Sequence, residues 1–321
     1  MAPRAALIVL LEVLLVGAIG ACRAGSIARE PGVIPLMPVF GPIVGSEVIG
    51  GRVDEGNDAW LLVGGTDIVH VDLPTRRSRR VSLKIAPGET CWGLARLADG
   101  SLWTIKGRQS LVRIDSDGNV LEDKTLSEPH LGLSASRDRL VYQVAAFTPP
   151  GPALKAGKPG DTNTVPWSGM TTRAFDRIAR ASAVVLNMVS CGGTARMERP
   201  CWFPDEAAVS LIDAGGATRR IDLPGLDIVP PEILLTAENP PRPIRDAYLD
   251  RDGGLWVLST GTAPAGEPAE RPGGWILARY GPSGKLVGLG RLAESARLIL
   301  RAEPGRALLL TGAGMVVEVV P

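Results

Sequence analysis

Few side chains in this sequence are equipped for chemistry, and their positions narrow the options further. The two histidines, His70 and His130, are too few for a histidine-rich metal site. His70 lies in an alternating apolar run and reads as a surface or inter-sheet residue. His130 opens a strand, and Glu89, Arg245 and Asp246 lie just before or at the start of strands of the same kind. Strands that share a register around a common centre bring their starts together. Glu89, His130, Arg245 and Asp246 are therefore candidates for one polar binding mouth. Two carboxylates and an imidazole are also the donor types that hold a divalent metal able to polarise a carbonyl. The bland alternative is that all four satisfy backbone groups or stay solvated.

The four cysteines divide by context. Cys191 and Cys201 flank the glycine-led loop 192–200. In an oxidising compartment they close a disulfide around it; the alternative is two free buried thiols. Cys91, beside Trp92, reads as a small buried hydrophobe with no local base to activate it. No C-x-x-C pair is present, which argues against a cysteine zinc site. The runs Asp115-Ser116-Asp117-Gly118 and Asp250-Arg251-Asp252-Gly253 hint at calcium loops. They lack the full ligand series and suit hairpin turns better. There is no glycine-rich phosphate loop and no G-x-S-x-G elbow. Trp167 and Trp202 are candidate interface anchors if exposed; the alternative is that they pack an insert onto the body of the fold.

The elements that must position these groups are strands. Residues 97–121 read as strand, loop, strand, tight turn, strand, and residues 249–287 repeat the order. Asp252-Gly253-Gly254-Leu255-Trp256 stands there for Asp99-Gly100-Ser101-Leu102-Trp103. Asp-Gly supplies the turn, and Leu-Trp starts a half-buried strand. Weaker copies lie at 67–72, 209–213 and 276–280. A four-stranded unit recurring every roughly 40–50 residues is the period of a β-propeller blade. One such sheet cannot bury both faces, so blades stack radially.

These blades resemble those of the NHL, gluconolactonase-like and TolB-like group of bacterial β-propellers, from about residue 33 to the C-terminus. The resemblance implies an all-β fold, a six-bladed ring and ligands at the mouth of a central channel. In gluconolactonase-like enzymes carboxylates and an asparagine hold a channel metal. Here Glu55-Gly56-Asn57-Asp58-Ala59-Trp60 is only loosely similar to their Glu-Gly-Pro-x-Trp stretch, and Asn187 is only a conjectural asparagine ligand. Virginiamycin-lyase-like propellers need a channel histidine, a role open to His130.

In chain order, residues 1–24 read as a signal peptide, with a basic start at Arg4 and a short apolar run. Ile19-Gly20-Ala21-Cys22 is similar to a bacterial lipobox, which implies cleavage before Cys22 and lipidation of its thiol; simple secretion is the alternative. Residues 25–32 form a tether, and 33–321 the propeller. Residues 33–40, apolar but broken by prolines, read as the outer strand of the last blade, donated by the N-terminus because the C-terminal copy holds only three strands. The pattern breaks at an insert, about 148–205. Residues 148–169 read as a loop, and 183–189 as either helix or strand. A strand gives six blades and a helix leaves five.

Net charge is +1, which argues against an extended nucleic-acid footprint. The one dense basic run, residues 76–80, suits a solvated edge strand. The expectation is an extracytoplasmic binding module, anchored to the membrane at Cys22 or secreted, with a protein, peptide or glycan partner and no cofactor. The alternative is a metal-dependent lactonase- or lyase-like enzyme with its site at the channel.

Overall fold

The turns predicted from Asp-Gly pairs form, and they share one geometry. In residues 97–101, 115–119, 250–254, 281–285 and 311–315, the first amide donates to the fifth carbonyl and the fourth amide donates back to the first carbonyl. The fourth residue is always glycine, with φ from 79° at Gly118 to 84° at Gly100. A side chain is strained there, so glycine fixes the turn and with it the register of both flanking strands. Asp115 and Asp250 complete their turns: each Oδ1 accepts the amides two and four residues on.

The computed structural model describes residues 33–43, 48–53, 57–107, 109–126, 130–136, 139–144, 153–157, 164–165, 190–196, 198–202, 207–213, 217–223, 244–260 and 274–320. The chain begins with β1 (Val33–Ile34) and β2 (Met37–Phe40). Among the described residues the strands then assemble into six sheets. The first is β3 (Val48–Val53), β4 (Asp58–Val63), β5 (Asp67–Asp72) and β6 (Arg77–Ser82). The second is β7 (Cys91–Arg96), β8 (Leu102–Lys106), β9 (Ser110–Ile114) and β10 (Val120–Thr125). The third is β11 (His130–Ser136), β12 (Arg139–Val144), β13 (Ala153–Gly157) and β14 (Thr164–Val165). Between β15 (Ser190–Cys191) and β17 (Arg199–Trp202) of the fourth lies β16 (Gly193–Thr194), and β18 (Ala208–Ile212) and β19 (Thr218–Asp222) complete that sheet. The fifth runs β20 (Ile244–Leu249), β21 (Leu255–Thr260), β22 (Trp275–Tyr280) and β23 (Leu286–Leu292). The sixth is β24 (Ala296–Glu303), β25 (Arg306–Thr311) and β26 (Val316–Val319), with β2 on its outer edge.

First strands of successive sheets lie side by side: β3 with β7, β7 with β11, β20 with β24, and β24 back to β3. Strands so arranged about a common centre make a β-propeller. The core fills the seams between sheets. Leu-Trp shows how: Leu102 packs toward the first sheet while Trp103 packs toward the third. In the fifth sheet Leu255 packs toward the fourth and Trp256 toward the sixth. Alternation along one strand thus serves two seams.

Two sequence readings are corrected. Residues 33–40 are not one strand. Val33–Ile34 pairs in parallel with β23, and Met37–Phe40 pairs antiparallel with β26, Met37 opposite Glu318 and Phe40 opposite Val316. Pro35 lies between the two, and Pro38 is tolerated within β2 because that strand is at the sheet's edge. Residues 148–169 are not all loop: β13 pairs with β12 and β14 with β13. The helix-or-strand alternative at 183–189 lies outside the described residues.

Candidate functional site

The first strand of each sheet carries a register shift against the second near its start, in every sheet except the fourth. It falls between Val48 and Gly50, Trp92 and Leu94, His130 and Gly132, Ile244 and Asp246, and Ala296 and Leu298. A bulge there bends the strand and re-aims its side chains. Three of the four mouth candidates, His130, Arg245 and Asp246, sit at this recurring bulge. The strands also approach closely at this end. A Cβ on Gly93, whose φ is 68°, would stand 2.9 Å from the Leu133 amide nitrogen.

The geometry assigns each candidate its surroundings. The Asp246 side chain is 3% exposed. Its Oδ2 accepts the Ile299 amide of β24 at 2.7 Å, and Oδ1 accepts the Ala247 amide at 3.0 Å. It ties the fifth sheet to the sixth. Glu89 precedes β7 and caps a turn, its Oε2 accepting the Ala86 amide at 3.0 Å. Its Oε1 lies 3.3 Å from Lys106 Nζ, which also donates to Asp123 Oδ2 at 2.5 Å. Asp123 first, and Glu89 with it, holds the Lys106 ammonium above its ordinary pKa. Arg245 is exposed, with its guanidinium 5.7 Å from the Trp275 ring centre. The His130 backbone opens β11 opposite Val144; its side chain lies outside the described residues. Glu89 is therefore engaged within the second sheet, and Asp246 between the fifth and sixth. Among the described residues, no group of three or more His, Cys, Asp or Glu side chains is gathered in one place.

The two tryptophans have different fates. Trp202 is not an exposed anchor: it is 3% exposed, packs in the seam between the fourth and fifth sheets, and its Nε1 donates to the Ile244 carbonyl at 3.3 Å. Its place in β17, on an alternating strand beside an apolar seam, turns it inward. Trp167 and Cys22 lie outside the described residues. Cys191 and Cys201 stand opposite each other on β15 and β17. Cys91 is a free, fully buried thiol, and burial pushes it up to about 11. At neutral pH it carries no thiolate to act as a nucleophile.

Sequence reasoning missed the segment that follows Cys191. After β15, the chain leaves its own sheet and adds β16 in parallel to β20, Gly193 opposite Tyr248 and Thr194 opposite Leu249. The addition continues through the Ala195 amide to the Leu249 carbonyl at 2.9 Å and the Arg196 guanidinium to the Arg251 carbonyl at 3.0 Å. This is the edge of β20 turned away from β21, toward the middle of the ring. A Cβ on Gly192 would fall 1.9 Å from the Ala247 carbonyl oxygen. The signal was present as Gly192-Gly193, read only as loop composition.

No known sequence family matches the chain, and no curated protein matches it. Solved structures do. Regucalcin, a calcium-binding protein from Agrobacterium tumefaciens, superposes with a TM-score of 0.54 at 10% identity, covering 90% of this chain and 95% of that one. A gluconolactonase from Xanthomonas campestris gives 0.54 at 14% identity, covering 92% and 93%. YCF48 from Cyanidioschyzon merolae gives 0.50 at 12% identity, covering 90% and 99%. At such identities the likeness is one of fold. The chain is a β-propeller whose structural neighbours include gluconolactonase and regucalcin, in keeping with its NHL- and gluconolactonase-like blade pattern.

Proposed function

We propose that this chain is a binding propeller of the cell envelope, held there by a lipid on Cys22. The six sheets serve as six blades of one ring, closed by the N-terminal strand β2, and the ring presents its faces to a protein, peptide or glycan. The observation that carries this reading is β16. It covers the inner edge of β20, so protein occupies a position where a channel substrate would otherwise meet the fifth blade. The engagement of Asp246 with Ile299 and of Glu89 with Lys106 agrees with it: Asp246 ties two sheets together, and Glu89 is held within its own.

A disulfide between Cys191 and Cys201 belongs to the same proposal. Its support is the register. The Gly192 amide donates to the Pro200 carbonyl at 2.8 Å, which makes Cys191 and Cys201 the adjacent, non-hydrogen-bonded pair. Cα atoms of such pairs lie about 4.5 Å apart, within disulfide reach. The bond would close the loop that bears β16 at its base.

The test is elemental analysis of residues 23–321, purified without chelator, with a thiol count on the same preparation. The expected result is no stoichiometric divalent metal, and one thiol, that of Cys91, titrating after denaturation without reductant. A stoichiometric metal lost in Glu89→Ala or Asp246→Asn would replace this reading with the lactonase-like one. Three titrating thiols would remove the disulfide. Labelled palmitate that still incorporates into Cys22→Ser would remove the anchor.

A further inference from the structure

Where the sixth sheet meets the first, the ring holds a cavity of about 230 Å³. Its floor is apolar. Val39 of β2, Leu73 and Pro74 after β5, and Ala307 and Leu308 of β25 line it, continuous with the core of that seam. Its rim is a run of paired charges. Arg301 donates to Asn57 Oδ1 at 2.6 Å and to Glu303. Glu303 Oε2 accepts Arg306 Nε at 2.9 Å and Nη2 at 2.8 Å, and Arg306 Nη1 reaches Glu318 Oε1 at 3.3 Å.

We propose that this cavity binds a free aliphatic α-amino acid of about leucine size, its side chain on the apolar floor and its zwitterionic head across Arg306 and Glu318. The inference goes beyond the binding reading above and does not rest on the channel mouth or on the anchor.

Three observations carry it. The first is charge: two arginines and two glutamates sum to zero on the rim. A singly charged ligand can pair with only one sign of charge on this solvent-edge rim, whereas a zwitterion pairs with both. The second is spacing. The ammonium and carboxylate of an α-amino acid hang from one carbon, and the Arg306–Glu318 contact of 3.3 Å presents an opposite pair at a comparable separation. Both protein groups have capacity left. A guanidinium has five N–H donors, and the bonds of Arg306 to Glu303 and Glu318 engage one on each nitrogen, which leaves one on each Nη. The third is volume. An apolar cavity of about 150 Å³ accepts benzene, so this one has room for a four-carbon branched side chain. It is smaller than the roughly 300 Å³ at which drug-sized pockets begin, which suits a small ligand.

The site is assembled from three parts of the chain. Val39 comes from the N-terminal strand, Glu318 from the C-terminal strand beside it, and Leu73 from the first sheet. A ligand seated there binds only the closed ring, and by mass action it stabilises the closed form.

The experiment is calorimetric titration of residues 23–321 with L-leucine at millimolar concentration, with melting followed in parallel. Leucinamide keeps only the ammonium, and 4-methylpentanoate only the carboxylate. Saturable binding of leucine with a rise in Tm is expected, with affinity lower by about tenfold or more for each half-ligand. Glu318→Gln and Arg306→Gln, both at the solvent edge, should keep the melting transition and lose the leucine response. Glu89→Ala should leave it unchanged. Absence of saturable binding overturns the proposal. So does equal affinity for 4-methylpentanoate, or full leucine binding by both rim variants.

Discussion

A single methyl group tests how closely the ring is drawn together. At Gly192 an added Cβ would meet the Ala247 carbonyl oxygen at 1.9 Å, a contact with backbone that no rotamer relieves. Gly192→Ala should therefore destabilise the protein by about 2–3 kcal/mol in chemical denaturation, at the upper end for an overpacked core. A loss below about 0.5 kcal/mol would mean that β16 does not lie against β20 as described. At this scale the sequence was half legible. It located His130, Arg245 and Asp246 at strand starts, and they occupy equivalent bulge positions on two different sheets. It did not reveal what Asp246 faces. That depends on the Ile299 amide, more than fifty residues downstream and freed by bulges in β24 itself. A carboxylate that serves a neighbour's backbone and one that serves a ligand look alike in a sequence.

At the scale of elements, the hairpins were the legible part. Asp-Gly and Leu-Trp mark local events, a left-handed glycine and an alternating strand, and both survive into the fold. The third sheet was less legible because Pro and Gly flank β13 and β14, and composition there argued for loop. The β24–β25 hairpin carries a prediction of its own. Hydrogen bonding from Arg306, with Arg301 nearby, holds the Glu303 carboxyl below its usual pKa of 4.5. A depressed carboxylate pKa contributes stability that is present above the unfolded value and lost as pH falls through the folded one. Glu303→Gln should thus lower Tm by about 2 °C at pH 7, a surface-network effect. The gap to the unsubstituted protein should close as pH falls below that usual value. A gap that stays constant to pH 2–3 would show that packing, not charge, sets it.

For the whole molecule, what the sequence lacked was the join. The apolar run 33–40 reads as one outer strand, but β1 lies on the fifth sheet and β2 on the sixth. The N-terminal residues therefore bridge two neighbouring sheets, a feature that no local pattern encodes. Removal of residues 33–40 strips Ile34, Leu36, Val39 and Phe40 from two seams and leaves the β26 edge bare. At roughly 1.5–2 kcal/mol for each apolar side chain of this size, the cost should be about 6–8 kcal/mol. It should appear as a lower denaturant midpoint and as self-association through the open edge. An unchanged midpoint would show that three strands suffice for the sixth sheet.

The pairing of β2 with β26 also fixes an order of events during synthesis. β2 leaves the ribosome long before its partner β26, with nearly all of the propeller between them. At about 5–20 residues per second, Met37–Phe40 waits on the order of tens of seconds for its partner to exist. Four sheets can form from contiguous stretches of nascent chain, but the fifth takes in β1 and β16 from elsewhere, and the sixth waits for β26 to meet β2. The apolar edge of that strand is exposed for the whole interval, so a holding factor is of most use until β26 has emerged.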